Sequence, residues 1–323
     1  MERYLYHCFP RRGAGTETEQ EKGIAILESL RDSGLLLVPE YIEWQQPSID
    51  GNPRIFPVLQ TRACFTDLNP GELPRHAEKF GHFALEFEYD TARKLGAIPV
   101  FYVPQPISKS SDGNALGVAL VAIAMDTHAL VHRISSINSV LNGPLPVQER
   151  IDINTGFARS PDNRSTLNVD SHDMRVAIEA LSHGMTPLQT LEAGTNALLN
   201  FFYPADDTVH EKALDYYKQR EWRIACRFSI DGREVLRRLS EDEKKTLLVI
   251  DREFFSRTIK TDTGDVEMLT AALIHPGLGD TKILEMARRI IVPNNTVAEA
   301  KQLLSGLKSI PEIVAINTLA DSA

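Results

Sequence analysis

The segment Phe83–Tyr89 (FALEFEY) is the part of the sequence that most narrows the choice of fold. Hydrophobic or aromatic side chains alternate in it with alanine and glutamate, so one face is apolar and the other carries Glu86 and Glu88. Because successive side chains of a strand point to opposite faces, this pattern predicts a half-buried β-strand. Glu86, Glu88 and the following Asp90 are expected on its solvated outer face, where carboxylates are common without binding a metal.

Strands and a helix are predicted on both sides of this segment. Aromatic residues in Arg3–Phe9 favour a strand, and apolar residues at helical spacing in Gly23–Leu37 favour a helix in which Gly34 is a candidate C-cap. Arg62–Thr66 and Ile98–Val103 have the composition of further strands. Together these elements predict an α/β core of the α+β type, built on a mixed sheet.

The C-terminal third is predicted to add strands and helices to the same core. Strands are expected at Glu221–Ser229, Leu248–Asp251, Ile290–Val292 and Ile313–Leu319, and helices at Arg237–Leu247, Lys282–Arg289 and Thr296–Leu307. The spacing of Thr296 and Glu299 predicts a capping box at the start of the last helix.

Between these two parts, the sequence changes to helical segments separated by polar loops. We therefore predict that residues 1–105 and 216–323 form the two halves of the core and that residues 106–215 form a helical insertion. The longest apolar stretch, Ala115–Met125, is shorter than the ~20 residues needed to cross a bilayer, so a buried helix is expected there. No interaction with a membrane is predicted.

Composition argues against several classes of protein. The 323 residues carry a formal net charge of −9, so extended binding to nucleic-acid phosphates is not indicated. Three cysteines without C-x-x-C spacing support neither a disulfide framework nor a cysteine zinc site. The N-terminal residues lack the apolar segment of a signal peptide, and a cytoplasmic protein is expected.

Common catalytic motifs are missing from the sequence. It contains no G-x-x-x-x-G-K-[ST], G-x-G-x-x-G, H-E-x-x-H or G-x-S-x-G. His128 and His132 have the i, i+4 spacing of a metal-binding pair, but no acidic residue lies between them. We predict ordinary histidines and no metal site.

Two segments resemble a known family. Arg62–Pro104 contains CFTD, a short helical segment, the glycine–aromatic step FGHFALEF and the strand GAIPVFY, and Tyr216–Ile224 (YYKQREWRI) contains an EWR step. With the strand Ile290–Val292 and the helix after it, these segments resemble the AbiGi family of abortive-infection proteins. The resemblance covers most of the chain outside the helical insertion.

This resemblance implies a role in bacterial phage resistance. Proteins of the AbiGi type are described as the antitoxin half of a pair whose toxin is a nucleotidyltransferase-like protein, so a protein partner of that kind is implied. The family supplies no established catalytic residue. We therefore predict an antitoxin or regulatory component of a toxin–antitoxin-like pair.

A second resemblance concerns the active site of ADP-ribosyltransferases. His7 on the first strand, Phe65 and Thr66 on a middle strand and the late sequence QRE at 219–221 occur in the order that this class of enzyme uses. If the chain is such an enzyme, NAD is its substrate, and the reaction either transfers ADP-ribose to an acceptor or hydrolyses NAD.

Each of these residues would then have a defined role. Glu221 would stabilise the positive charge that develops on the ribose, and Gln219, two residues earlier on the same strand face, would hold the acceptor. His7 would bind the adenosine-side ribose, and Arg11 or Arg12 could reach a phosphate.

The same residues also have a purely structural interpretation. Glu221 and Arg223 share one face of the predicted strand and can form an ion pair, with Trp222 in the core and His7 as a half-buried strand histidine. The sequence leaves both interpretations open. An antitoxin is the favoured function, and an NAD-dependent ADP-ribosyltransferase-like effector that uses Glu221 is the alternative.

Overall fold

A computed structural model of the chain describes residues 3–10, 16–46, 54–103, 116–142, 150–154, 166–184, 186–204, 220–225, 229–230, 233–261 and 264–322. The chain divides into two compact units. The first unit consists of Met1–Ala119 and Leu199–Ala323, and the second consists of Leu120–Leu198. The second unit therefore lies within the predicted helical insertion, residues 106–215.

The described residues form ten α-helices. In chain order they are α1 (Thr16–Asp32), α2 (Leu73–Phe80), α3 (Tyr89–Lys94), α4 (Leu116–Leu141), α5 (Ser171–Ser182), α6 (Leu188–Leu199), α7 (Glu241–Ile250), α8 (Arg252–Phe255), α9 (Met268–Ala271) and α10 (Val297–Leu303). Short 3-10 helices are found at Pro70–Glu72, Ile283–Met286, Asn294–Thr296 and Ile316–Ser322.

The same residues form twenty β-strands. They are β1 (Tyr4–Phe9), β2 (Leu35–Gln46), β3 (Arg54–Leu68), β4 (Phe83–Phe87), β5 (Ile98–Pro99), β6 (Phe101–Val103), β7 (Arg150–Asn154), β8 (Thr166–Asp170), β9 (Phe202–Pro204), β10 (Glu221–Ala225), β11 (Ser229–Ile230), β12 (Arg233–Glu234), β13 (Arg237–Arg238), β14 (Thr258–Thr261), β15 (Gly264–Glu267), β16 (Leu273–His275), β17 (Gly277–Leu278), β18 (Thr281–Lys282), β19 (Arg289–Val292) and β20 (Glu312–Ala315).

A ten-stranded sheet forms the centre of the first unit. Its main path has the order β13-β16-β2-β3-β1-β4-β19-β20, and β10 pairs with both β3 and β5. Strands β19 and β20 are parallel, whereas the other paired strands of this sheet are antiparallel. The predicted α/β class with a mixed sheet is confirmed.

The long strand β3 has neighbours on both of its edges. Thr66 lies opposite Tyr6 of β1 and also opposite Glu221 of β10. Arg62 lies opposite Val38 of β2 and also opposite Ala225 of β10. One edge of β3 therefore carries β2 and then β1, and the other edge carries β10. The sequence predicted only five of the 15 residues of this strand, Arg62–Thr66.

Strand β4 is buried on both faces, so the predicted half-exposed strand is wrong. Phe83, Leu85 and Phe87 pack into the main hydrophobic core, which also contains residues of α1 and α10. On the opposite face, Ala84 packs in a second apolar cluster that includes side chains of α2 and of the last 3-10 helix. Elements distant in the sequence thus cover the face that the alternation assigned to solvent.

Glu86 lies on this second face and is fully buried, whereas Glu88 and Asp90 are exposed as expected. Its carboxylate accepts hydrogen bonds from Arg288 Nη1 at 2.6 Å, Arg289 Nε at 2.7 Å and the Tyr6 hydroxyl at 2.6 Å. Burial, followed by the hydrogen bond to Glu86, raises the pKa of Tyr6. A buried carboxylate is stable here because donors surround it.

Helix α1 ends five residues before the predicted end of the Gly23–Leu37 helix. Its last residue is Asp32, and Leu35 already belongs to β2. Gly34 lies between them with φ of +120°, a conformation that side chains of L-residues rarely adopt. A Cβ atom at this position would lie 2.4 Å from the His275 carbonyl oxygen, so only glycine allows β2 to approach β16 here.

Helix α7 begins later and ends later than the sequence predicted. The Ser240 hydroxyl accepts from Glu243 N at 3.3 Å, and the Glu243 carboxylate accepts from Ser240 N at 2.8 Å. This capping box starts the helix at Glu241. Arg237 and Arg238 therefore lie outside the helix and form β13. The helix continues to Ile250, and the predicted strand Leu248–Asp251 is wrong.

The last part of the chain departs from three further predictions. The predicted helix Lys282–Arg289 is reduced to one 3-10 turn at Ile283–Met286. The capping box at Thr296 does not form, because the Thr296 hydroxyl donates to the Pro293 carbonyl at 2.9 Å. Strand β20 ends at Ala315 and is followed by a 3-10 helix where a strand to Leu319 was expected.

The second unit contains α5, most of α4 and α6, and the antiparallel hairpin of β7 and β8. The apolar stretch Ala115–Met125 contributes to α4, but Leu120 and Ile123 are exposed, so its predicted burial is wrong for these two side chains. In the part of the chain that the structure describes, no helix has the length and apolar character required to cross a membrane.

The Glu86 cluster generates a prediction about stability. Glu86→Ala removes the carboxylate that three donors share and leaves them poorly compensated, so we expect a loss of about 3–5 kcal/mol in the free energy of unfolding. Glu88→Ala, on the exposed residue two positions later, is the matched control and should change it by less than about 0.5 kcal/mol. Urea unfolding at neutral pH measures both, and equal effects would contradict a stabilising role for the cluster.

Candidate functional site: a buried polar face on β3 and β10

Strands β3 and β10 present one polar face formed by alternate residues. Side chains two residues apart on a strand share a face, and directly opposed residues of an antiparallel pair do so too. Glu221 lies opposite Thr66 and Arg223 lies opposite Cys64. This polar face therefore consists of Gln60, Arg62, Cys64, Thr66, Glu221 and Arg223. The alternate residues Phe65 and Ile224 point into the main hydrophobic core instead.

An ion pair between Arg223 and Glu221 lies at the centre of the polar face. Arg223 Nε donates to Glu221 Oε1 at 2.8 Å, and the two side chains are 0% and 8% exposed. Arg223 Nη1 donates in addition to Gln60 Oε1 and to the Asn200 carbonyl, each at 3.1 Å. Removing both charges from water is costly, and these additional acceptors offset part of that cost.

Aromatic side chains cover the ion pair. The Tyr203 ring of β9 has its centroid 4.8 Å from Arg223 Cζ and 5.4 Å from Arg62 Cζ, which places it against both guanidinium groups. The Tyr102 hydroxyl of β6 donates to Glu221 Oε2 at 3.4 Å. Both oxygens of the Glu221 carboxylate therefore have a partner within the protein.

Gln60 attaches the covering segment to the sheet. Its side-chain Nε2 donates to the Leu199 carbonyl at 2.9 Å and to the Phe202 carbonyl at 3.1 Å. Its Oε1 accepts from Arg223 and also from Arg62. One buried amide thus joins the two arginines to the backbone that leads into β9.

A second ion pair balances the charge of the polar face. Arg62 is 5% exposed and donates to Gln60 and to the half-exposed Glu40 carboxylate. Two guanidinium groups therefore oppose two carboxylates. Arg223 Nη2 is buried and has no hydrogen-bond partner in the described part of the chain, and the Tyr203 ring compensates part of this loss.

Electrostatics keeps Glu221 ionised. Burial by itself raises the pKa of a carboxyl group, but the charge and hydrogen bond of Arg223, with a further contribution from Arg62, lower the pKa of Glu221 overall. Burial and the Glu221 charge raise the pKa of Cys64 to about 11, so its thiol is protonated at neutral pH. Because the thiolate is the reactive form, these surroundings disfavour reaction at Cys64.

The predicted NAD-site residues fall into two groups on opposite faces of the sheet. The His7 Nδ1–H donates to the Cys64 carbonyl at 2.8 Å, and its ring centroid lies 5.5 Å from that of Phe65. Tyr6 lies opposite Thr66, so His7, the next residue on β1, points to the other face. The structure thus brings His7 to Phe65 and Thr66 to Glu221, with the sheet between the two groups. Gln219, Arg11 and Arg12 lie outside the described residues.

The histidine pair of α4 has hydrogen-bond partners in the second unit. His128 Nδ1 lies 3.1 Å from Thr195 Oγ1, and His132 Nδ1 lies 2.6 Å from Glu192 Oε1. Their ring centroids are 6.3 Å apart. Within the described ranges, there is no group of three or more His, Cys, Asp or Glu side chains that could hold a metal ion.

The cluster also contains four residues that no sequence pattern had singled out: Gln60, Arg62, Tyr102 and Tyr203. A signal for two of them was present, because Gln60, Arg62, Cys64 and Thr66 form a polar period-two pattern opposite Ala63 and Phe65. The pattern resembles an ordinary solvated strand face. Only the tertiary contact with the segment 199–204 shows that this face is buried.

Comparison with known proteins adds no assignment: no family model, no curated protein and no solved structure matches this chain. The function of the protein therefore has to be inferred from its residues and their arrangement.

The buried pair predicts a large and specific loss of stability. Arg223→Met leaves the Glu221 carboxylate buried without its main partner, so we expect a loss of about 3–5 kcal/mol in the free energy of unfolding at pH 7. Arg220→Met is the control, because it removes an Arg220–Glu72 pair that is part-exposed and should cost no more than about 1 kcal/mol. Similar losses in the two variants, measured by urea unfolding, would rule out a special role for the buried pair.

The pH dependence of these variants has a defined sign. Folding lowers the pKa of Glu221, so its contribution to stability is present above its ordinary pKa of 4.5 and is lost as the pH falls through the lower folded value. In Arg223→Met, burial then raises the pKa of Glu221, and the variant should gain stability relative to Glu221→Gln/Arg223→Met as the pH falls. Urea unfolding from pH 7 to pH 3 measures both differences in stability. The parent protein is compared with Glu221→Gln, and Arg223→Met is compared with Glu221→Gln/Arg223→Met.

Proposed function

We propose that this protein is a cytoplasmic, protein-binding component of a bacterial phage-defence system, and that it acts as the antitoxin or regulatory half of a toxin–antitoxin-like pair. The proposal rests on the resemblance of Arg62–Pro104 and Tyr216–Ile224 to abortive-infection proteins of the AbiGi type. The partner it implies is a nucleotidyltransferase-like toxin.

One structural observation supports treating these two segments as a single signature. They are far apart in the sequence, yet their described parts are adjacent strands of one sheet. Cys64 lies opposite Arg223, and Arg223 lies in turn opposite Ile98. Motifs that pair in this way have a common structural reason to occur together in one chain.

The surroundings of Glu221 favour a non-catalytic role for this signature. A carboxylate that stabilises a developing cation must face that cation in an open site. Glu221 instead faces Arg223 at 2.8 Å, and the Tyr102 hydroxyl is 3.4 Å from its second oxygen. The Arg223 guanidinium already neutralises the negative charge of Glu221, which would otherwise be available to stabilise a ribosyl cation.

An NAD-consuming ADP-ribosyltransferase-like effector is the second candidate. It is favoured by the adjacency of β1, β3 and β10, the strands that carry His7, Thr66 and Glu221. For such an enzyme to work, the segment that carries Tyr203 would have to move so that the Glu221 carboxylate leaves Arg223 and reaches a ribose. His7 could not contact the same NAD molecule from its present position, because it points to the other face of the sheet.

Incubation with NAD separates the two candidates. We expect no release of nicotinamide above the buffer rate at millimolar NAD, from either the parent protein or Glu221→Gln, because the carboxylate is engaged by Arg223. Release by the parent that is lost in Glu221→Gln would replace the antitoxin proposal with the enzyme. Circular dichroism must show that the variant is folded.

Co-expression tests the antitoxin function directly. The toxin to test is a nucleotidyltransferase-like protein sought among the neighbouring genes, expressed alone and together with this chain. We expect the toxin alone to stop growth, the pair to grow, and the two proteins to purify as a complex. Glu221→Gln should still restore growth, since the proposal gives this carboxylate no chemical step. If the parent protein neither restores growth nor forms a complex with the toxin, the proposal is refuted.

A further inference from the structure

Helix α4 carries two different apolar stripes. One stripe, which includes Val121 and Val131, is buried in the second unit. The other, called here the outer stripe, follows a regular three-four spacing along the helix and has five apolar residues and one threonine. It consists of Leu120, Ile123, Thr127, Leu130, Ile134 and Ile137. The outer stripe is a feature that the sequence analysis did not detect.

The outer stripe is open to solvent over much of its length. Leu120, Ile123 and Leu130 are 50%, 62% and 59% exposed, Thr127 is also exposed, and Ile134 and Ile137 are half-buried. Isolated exposed apolar residues are common, but a contiguous row of them is typical of an interaction surface.

The spacing of the stripe defines the kind of partner surface that fits it. Apolar residues at alternating intervals of three and four occupy the a and d positions of a heptad, which pack against a second helix at a small crossing angle. From Leu120 to Ile137, the stripe extends over about 27 Å of helix, enough for six successive contacts.

We propose that the outer stripe is occupied by the outer stripe of a second copy of this chain, with the two α4 helices antiparallel. In this arrangement, Thr127 packs against Leu130 of the other copy, Ile123 against Ile134, and Leu120 against Ile137. Each contact occurs twice about a two-fold axis that passes between the two helices at the level of His128 and Ala129, as an isologous interface requires.

The charges beside the stripe support this occupant and this orientation. Asp126 and Arg133 are both exposed and occupy successive g positions on the same flank of the stripe. In an antiparallel pair, g positions face g positions, so Asp126 of each copy lies beside Arg133 of the other. In a parallel pair, they would face the e positions, here Ala124, Val131 and Asn138, which carry no charge.

Oligomeric state tests the proposal. We expect the full chain to be a dimer by light scattering at tens of micromolar protein. Leu130→Glu should be a monomer, because it places a charge from each copy in the contacts between Leu130 and Thr127 at the centre of the interface. The matched control is Ser139→Glu, since Ser139 is exposed on the same helix but lies on the side opposite the outer stripe, and this variant should remain a dimer. A monomeric parent, or a dimer that survives Leu130→Glu, would overturn the proposal.

A charge exchange tests the antiparallel orientation without adding a charge to the apolar stripe. Asp126→Arg and Arg133→Asp should each weaken the dimer about fivefold, since each places like charges together at two symmetric points. The double variant Asp126→Arg/Arg133→Asp should regain the parent dissociation constant, as measured by sedimentation equilibrium. A double variant no tighter than the single variants would exclude the antiparallel pair.

Discussion

The hydrogen bonding of β3 along both edges is the constraint on which the first unit depends. This strand joins β2 and β1, from the beginning of the chain, to β10, which follows the helical unit. A strand paired on both edges has its backbone donors and acceptors satisfied within the sheet, so both faces can be removed from water. The fold uses this possibility: apolar residues pack on one face, and on the other face most of the polar groups are paired within the protein.

Burying the second face requires a partner for each charge on it, and the same kind of partner is found on β4 and on β10. Glu86 is held by two arginines and a tyrosine hydroxyl, and Glu221 is held by one arginine and a tyrosine hydroxyl. Such clusters add little net stability compared with well-packed apolar residues, but breaking one leaves a buried charge uncompensated. They therefore penalise alternative pairings of the strands more strongly than they stabilise the correct one.

The sequence predicts local geometry well and burial poorly. The alternation in Phe83–Tyr89 and the two-residue spacing of Glu221 and Arg223 correctly predict strands and shared faces, because these follow from backbone geometry alone. Whether a face is covered depends on remote segments, such as α2 and the residues 199–204, whose positions no local pattern encodes.

Turn chemistry and helix caps explain most of the wrong boundaries. The break at Gly34 comes from a close approach to His275, and the start of α7 comes from the Ser240 capping box. The outer stripe of α4 was missed for a different reason. A helix with two apolar stripes has a weak amphipathic contrast and is easily taken for a fully buried helix, as the stretch Ala115–Met125 was.

The parallel pairing of β6 with β9 has a consequence for how this chain could have been assembled. The chain leaves the first unit after Ala119 and returns to it at Leu199, between β6 and β9, and Val103 and Pro204 lie side by side. Because the entropy of closing a loop grows only slowly with its length, neighbouring ends of this kind accept inserts of very different size. The helical unit can therefore be exchanged, shortened or replaced as a module while the sheet keeps its register.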